Sequence, residues 1–395
     1  MLIHDVIVVG AGPAGSQAAT SLARRGYNVL VLEEHPEIGV PTNCSGLIGA
    51  EAFERFDLPR AAVIREFDSA TFFSPKGASA TVGADRVMAY VVRRCEFDQT
   101  MAQRALTSGA SYLLGARCVA LDHGDGHVRL SVVRGGQNGA EPPMTLRARA
   151  VVLAIGIRYG LLDSLRLERP SAFLQAAQVE VEMEEVNRVE VYLGREVAPG
   201  SFAWAIPAGT VARVGVCNGG RAVPYLRRFL QHPSIAPRLR QQMGPLKGKA
   251  IPVSNVSRSF VDRILLVGDT AGQVKTTTGG GISYGILCGD LAAETLDRAF
   301  RAGDLTERTL AEYEGRWREE IGVELRVGSF FRRVGGMLSD EQIDRLIGAY
   351  HNSDLPNLVK RWADFERHRK FILALCRSSI FFQMVWGRLW GRVVS

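Results

Sequence analysis

The chain opens on a pattern of apolar runs cut by glycine. Within residues 3–9 the aliphatics Val6, Ile7, Val8 and Val9 form an unbroken run, short enough for one strand buried on both faces. Pro13 then starts a stretch rich in Ala and Ser that reads as a helix to Arg25, closed by Gly26. Residues 28–32 are a second buried strand, so the opening segment is a βαβ unit of about minimal length. A turn-rich stretch over 34–49 follows, and a loop that long in a compact domain is usually functional.

Further on, 67–83 reads as short strands with Gly turns, 94–108 as a helix ended by Gly109, and 111–154 as strands. Alternation of apolar and polar residues over 172–217 (Ala177, Val179, Val181, then Val189, Val191) predicts an antiparallel sheet. Residues 264–267 form another buried strand, a helix follows Gly281, and the chain from about 304 is mostly helical. The nucleotide-binding fold is therefore expected to be discontinuous, built from 1–66, 84–165 and 258–300. A second, substrate-binding domain (67–83 and 166–257) is inserted into it, and 301–395 forms a helical C-terminal region.

The first chemistry lies at the end of the first strand. In Gly10-Ala11-Gly12-Pro13-Ala14-Gly15, Gly10 permits a tight turn, Gly12 lets backbone approach a pyrophosphate, and Gly15 lets helix and strand pack closely. The helix start, Ala14 included, offers N–H groups to phosphate. Glu33 ends the second strand, where its carboxylate can accept ribose hydroxyls. This argues for a dinucleotide, FAD or NAD. A second motif bears on that choice: the strand 264–267 ends in Gly268-Asp269, and Gly279, Gly280, Gly281 and Ile282 start a helix. Asp269 is placed to reach a ribitol hydroxyl, and the helix dipole to face the pyrimidine end of a flavin. The plain alternative is an N-cap Asp beside a flexible Gly run.

These residues resemble the FAD-dependent hydroxylase superfamily, whose fold is that of p-hydroxybenzoate hydroxylase. Its second fingerprint matches VGDTAG, and Arg94 in YVVRRCEFD matches its Arg-x-x-Phe-Asp, which lies beside the cofactor. Three local matches resemble the geranylgeranyl reductases within that superfamily. Pro41-Thr42-Asn43-Cys44-Ser45-Gly46 is similar to their Pro-x-x-Cys-Gly loop. Phe202-Ala203-Trp204-Ala205-Ile206-Pro207 is similar to their aromatic-x-Trp-x-Phe-Pro run. Residues 273–282 (QVKTTTGGGI) are similar to their Val-Lys-Pro-Thr-Thr-Gly-Gly-Gly-Ile segment. Thr276 stands where the family has Pro, and Ile206 where it often has Phe.

The resemblance implies an α/β fold: a Rossmann-type FAD-binding domain, an inserted antiparallel-sheet substrate domain and a helical C-terminal region. It implies an FAD-dependent reductase that hydrogenates carbon–carbon double bonds of prenyl chains on lipids, quinones or prenyl pyrophosphates. The cofactor-binding set is then Gly10, Gly12, Ala14, Gly15, Glu33, Asn43, Cys44, Gly46, Arg94, Val119, Asp269, Gly281 and Ile282. Cys44 is the candidate catalytic residue, near the flavin, although a free Cys is also a small buried hydrophobe. Phe202, Trp204 and Pro207 are the candidate substrate wall, since an isolated alkene offers no hydrogen-bond handle and needs an apolar channel. Plain core packing of a sheet is the other reading of Phe202 and Trp204.

Two other readings stand beside the reductase. One is a flavin-dependent monooxygenase or halogenase, because the Phe202–Pro207 run also resembles a halogenase motif; oxygen use separates the two. The other is an assembly protein that binds FAD only for structure, which the Gly-rich loop argues against. No second GxGxxG is present, so the electron donor is expected to be ferredoxin or visiting NAD(P)H.

Charge adds one element to the picture. The net charge is +7, but there is no concentrated basic run in the body of the chain and no nucleic-acid motif. The tail is different. From Lys360 onward, Lys360, Arg361, Arg367, Arg369, Lys370, Arg377, Arg388 and Arg392 are opposed only by Asp364 and Glu366, and are interleaved with Phe371, Phe381, Phe382, Trp386 and Trp390. That composition suits an anionic membrane surface, or else a helix packed on the core with a solvated basic face. The six cysteines form no C-x-x-C pair, no signal peptide is evident, and no segment reaches the length needed to span a bilayer. The expectation is a cytoplasmic protein bound peripherally to the inner face of the membrane, without structural metal.

Overall fold

The unbroken apolar runs become parallel strands. The computed structural model describes residues 3–134 and 143–378; the tail residues Phe381, Phe382, Trp386, Arg388, Trp390 and Arg392 lie outside the described residues. Strand His4–Val9 encloses Val6, Ile7 and Val8 completely, as a parallel strand covered on both faces requires. It pairs in parallel with Val29–Leu32 and with Met144–Leu153. Ser111–Leu113 and Ile264–Leu266 extend the sheet in parallel, and Phe260–Val261 adds an antiparallel edge. The hairpin Ala116–Gly124 and His127–Arg134, joined to Met144–Leu153, brings this sheet to eight strands. Helices Pro13–Ala23 and Ile282–Ala302 pack against each other closely enough that a Cβ on Gly289 would lie 2.6 Å from the Ala14 carbonyl oxygen. The first helix ends slightly before the predicted Arg25, and Gly26 turns the chain with φ +86°.

The alternating stretch forms the second sheet. Its order is Leu239–Gln242, Phe173–Met183, Val211–Asn218, Phe202–Ala208, Val189–Tyr192, Ser69–Phe73, Ser79–Gly83, and Lys247–Pro252 also pairs with Phe173–Met183. Every pairing is antiparallel except that of Ser69–Phe73 with Val189–Tyr192. The period of two sorts its faces. Ala177, Val179, Val181, Ala203, Ala205, Val214 and Val216 share a core with Leu226 and Phe229 of helix Ala222–Leu230. Trp204, Ile206 and Cys217, of the opposite parity, pack with Phe67 and Val91.

Phe67 and Val91 belong to a small third sheet, Leu47–Gly49, Ala89–Val92 and Val63–Phe67, which the sequence pattern did not predict. Its strands are three to five residues long, too short for a periodic signal. The expected helical C-terminal region runs through Glu307–Trp317, a π-turn at Arg318–Gly322, Val323–Met337, Asp340–Gly348, Leu355–Trp362 and Arg369–Cys376.

Candidate active site

The Gly-rich turn after the first strand has the geometry its residues predict. Gly10 has φ +106°, and a Cβ there would lie 2.3 Å from the Ala154 carbonyl oxygen; one on Gly15 would lie 2.0 Å from the Gly10 oxygen. Gly12 caps the helix in extended conformation with no side-chain cap, and a Cβ on it would meet no protein atom within 4 Å. The Ala14 methyl lies against Gly268 and Gly285, so the first turn touches the second motif. Glu33 sits at the end of its strand, where one carboxylate oxygen accepts the Ala11 N–H at 2.9 Å. The other accepts the His35 N–H at 3.0 Å and is 2.6 Å from His35 Nδ1. His35 had no role assignable from sequence; it anchors the Glu33 carboxylate.

The second motif lies at a neighbouring strand end. Asp269 follows Ile264–Leu266 on a 3₁₀ turn, and a Cβ on Gly281 would come within 2.7 Å of its Oδ1. Its Oδ2 is 3.1 Å from the Lys249 ammonium. Gly281 precedes helix Ile282–Ala302, again without a side-chain cap, and Ile282 packs against the cluster that holds Val92, Phe97 and Ile286.

The Cys44 loop joins these parts. Asn43 and Cys44 are half-buried, and Gly46, with φ +72°, donates its N–H to Cys44 Sγ at 3.4 Å. Burial works to raise the Cys44 thiol, but the Arg94 guanidinium, the Gly46 N–H and the Lys249 ammonium outweigh it and leave the thiol below an ordinary cysteine. Arg94 is itself held by a two-pronged ion pair with Asp98, at 3.0 and 2.8 Å. Burial opposes its charge, yet Asp98 and Cys44 keep it firmly protonated. Asp269 holds Lys249 protonated against burial, with Cys44 adding to the effect. Thiol, two cations and two carboxylates thus form one connected group.

The antiparallel sheet faces this loop with polar groups that sequence reasoning missed. Gln178, Arg213 and Lys247 each donate to a carbonyl of the loop. A signal for Arg213 was present: it is the single charge in the apolar alternation VARVGVCN. Phe202 and Trp204 lie together on the same side, ring centroids 5.9 Å apart. Pro207, the third expected wall residue, pairs with Ala212 and shares the parity of Ala203 and Ala205, which places it on the face turned to helix Ala222–Leu230. Val119 is the extra residue of a bulge opposite Ser131 and Val132, and its side chain is 42% exposed.

The C-terminal region holds the remaining loop. Lys275 is 5% exposed and donates to Glu366 Oε2 at 3.0 Å and to the Phe365 carbonyl at 3.1 Å. Glu366 also accepts from the Gly49 N–H at 2.8 Å and from Ser283 Oγ. The Thr276 hydroxyl donates to the Leu325 carbonyl at 3.0 Å, a bond a proline side chain could not make.

These residues fit an FAD. Two helix N-termini without side-chain caps, a glycine whose Cβ direction is open, and carboxylates at two strand ends are the donor and acceptor set that a pyrophosphate, a ribose and a ribitol need. Among the described residues no cluster of His, Cys, Asp and Glu is arranged to hold a metal ion.

Comparison with known proteins agrees with this geometry. Residues 4–180 match the family described as "Pyridine nucleotide-disulphide oxidoreductase". The digeranylgeranylglycerophospholipid reductase of Methanocaldococcus jannaschii is 33% identical over 91% of this chain and 94% of its own length. The crystal structure of a geranylgeranyl bacteriochlorophyll reductase-like protein from Thermoplasma acidophilum superposes with a TM-score of 0.84 at 24% identity, covering 95% of this chain and 96% of that one. The p-nitrophenol 4-monooxygenase PnpA of Pseudomonas putida DLL-E4 shares the fold at a TM-score of 0.71 and 19% identity, covering 94% and 97%. The fold is therefore common to reductive and oxygenating chemistry, and the local site decides between them.

Proposed function

The chain belongs to the geranylgeranyl reductase family of FAD-dependent oxidoreductases, and on that premise we propose that it hydrogenates carbon–carbon double bonds of prenyl chains on lipids, quinones or prenyl pyrophosphates. The observation that carries this reading is the Cys44 loop: a half-buried thiol with two cations beside it, set below the sheet face that bears Phe202, Trp204 and Ile206. The Gly10–Gly15 turn and Glu33 would hold the ADP half of FAD, Asp269 its ribitol, and Arg94 with the Gly281–Ile282 helix start the flavin side. When bound and reduced, FAD supplies the hydride. Saturating an isolated double bond takes one hydride and one proton. Cys44 holds that proton at Sγ, and Arg94 and Lys249 ease its release by favouring the thiolate. The aromatic strand gives the chain an apolar wall and keeps water from the reacting bond.

A prenyl lipid is nearly insoluble in water, so the enzyme collects it from a bilayer at the cytoplasmic face, with ferredoxin or NAD(P)H as electron donor. Among the described residues no helix is long and apolar enough to cross a membrane, and the basic, aromatic tail suits peripheral attachment. Mass spectrometry of lipids and quinones from cells with and without the gene tests the substrate class. Saturated prenyl chains that disappear with the gene support it; identical lipid profiles contradict it.

A further inference from the structure

Three successive rows of the second sheet place one residue each in line. Trp204 lies directly opposite Gly215, and Gly215 directly opposite Gln178. The outer two strands are separated by the middle one, a span of about 9–10 Å. A Cβ on Gly215 would lie 2.2 Å from the Trp204 indole, so the indole lies across the middle strand where that strand has no side chain. It thereby reaches Gln178, to whose Oε1 the indole N–H donates at 3.3 Å. With its oxygen fixed, the Gln178 amide has its nitrogen free to donate elsewhere, and Nε2 donates to the Cys44 carbonyl at 3.2 Å. Trp204 and Gln178 are each 9% exposed, so neither finds water as a ready substitute partner.

The same face holds the loop on both sides of that point. Arg213 Nη1 donates to the Ser45 carbonyl at 2.7 Å and to Val92 at 3.1 Å, and Lys247 donates to Thr42 at 3.1 Å. Among the described residues, Gln178 is the one side chain of this face that donates to the carbonyl of Cys44 itself. An apolar channel wall has no use for an indole N–H, because phenylalanine would serve as well. The buried bond from Trp204 to Gln178 has a different use.

We propose that Trp204 is a positioning residue that acts through Gln178 to fix the Cys44 loop, and so holds the thiol beside Arg94 and Lys249. The proposal rests on the reading that Cys44 works at the flavin. Its test does not require prenyl reduction. Holoprotein is treated with iodoacetamide across a pH series, and the rate at Cys44 is followed by peptide-resolved mass spectrometry. Wild type is compared with Trp204→Phe, Gln178→Met and the double variant, with bound-FAD absorbance confirming each fold. Trp204→Phe keeps the aromatic wall and loses the N–H. Each single variant is expected to move the Cys44 profile toward that of an ordinary cysteine, by about half a pH unit or more. The double variant is expected to move no further than either single, because both break one chain of bonds. Turnover with a prenyl substrate is expected to fall about 10-fold in kcat with KM little changed. A wild-type Cys44 profile in folded Trp204→Phe overturns the proposal, whatever happens to turnover, and so does full additivity in the double variant. If the profiles shift as expected but wild type saturates no prenyl chain, the positioning role stands and the reaction assignment falls.

Discussion

Gly12 has φ −67° and ψ 176°, a conformation open to any residue, and a Cβ there would touch nothing in the protein. The chain itself does not demand glycine at this position; the proposed pyrophosphate contact does. Gly12→Val is therefore expected to fold with a Tm near that of the wild-type apoprotein and to lose FAD absorbance. A variant that folds and holds FAD normally places the phosphate elsewhere. Gly15 differs, because its Cβ would strike the Gly10 carbonyl, and a substitution there damages the fold before it tests binding. At Glu33 the loss is electrostatic. Glu33→Ala removes the acceptor of the Ala11 N–H and the proposed ribose acceptor, a charge-assisted interaction worth about 1.5–3 kcal/mol. FAD titration of the apoprotein is expected to show binding roughly 10- to 100-fold weaker, and unchanged affinity refutes the ribose assignment.

Among the elements, the segment between Leu355–Trp362 and Arg369–Cys376 bears most directly on the site. It meets the Gly-rich loop through Lys275 with Glu366, and through Thr277 Oγ1 with His368 Nδ1 at 2.6 Å. Burial pushes His368 down to about 4, and Lys275 adds to this, against the Phe365 carbonyl, Glu366 and Asp364. A base whose folded value lies below its ordinary 6.5 contributes its full stability above pH 6.5 and loses it as pH falls toward 4. The wild-type Tm is expected to drop more steeply across that window than the Tm of His368→Gln. Equal slopes would mean that His368 does not couple this contact to pH. The sheet shows how far an element can be read in advance. Alternation predicted the strands and put Phe202 and Trp204 on one face, but it could not say which face meets the Cys44 loop. Gln178, Arg213 and Lys249 escaped notice because their partners lie 134, 168 and 20 positions away. No local pattern records such pairings.

Over the whole molecule, the parts legible in sequence were those fixed by local chemistry: the glycine turn after the first strand, the Gly-Asp strand end, the runs of buried strands. The part that was not legible is how the second sheet closes on the Cys44 loop and how the segment around Glu366 closes on the 275–283 loop, since both depend on contacts between distant segments. Several Lys and Arg of the tail near an anionic surface contribute about 1 kcal/mol each, screened by salt, and buried Trp and Phe about 1.5–3 kcal/mol each. Full-length protein is expected to pellet with anionic liposomes at low salt and to release in part at high salt, whereas a chain ending at Ser378, which keeps Glu366 and the packed helix Arg369–Cys376 but loses Phe381, Phe382, Trp386 and Trp390, stays in solution. Failure to bind liposomes of any composition would leave delivery of substrate to a carrier.

Anaerobic turnover separates prenyl reduction from oxygen-dependent chemistry. Purified holoenzyme reduced with dithionite is mixed with a digeranylgeranyl phospholipid under strict exclusion of oxygen, and the product is read by mass spectrometry. Gain of hydrogen pairs at the prenyl double bonds is expected, with flavin reoxidised in proportion and slower turnover in Cys44→Ser that still holds FAD. Product that forms only when oxygen is admitted, and that carries an oxygen atom or halogen, would contradict prenyl reduction.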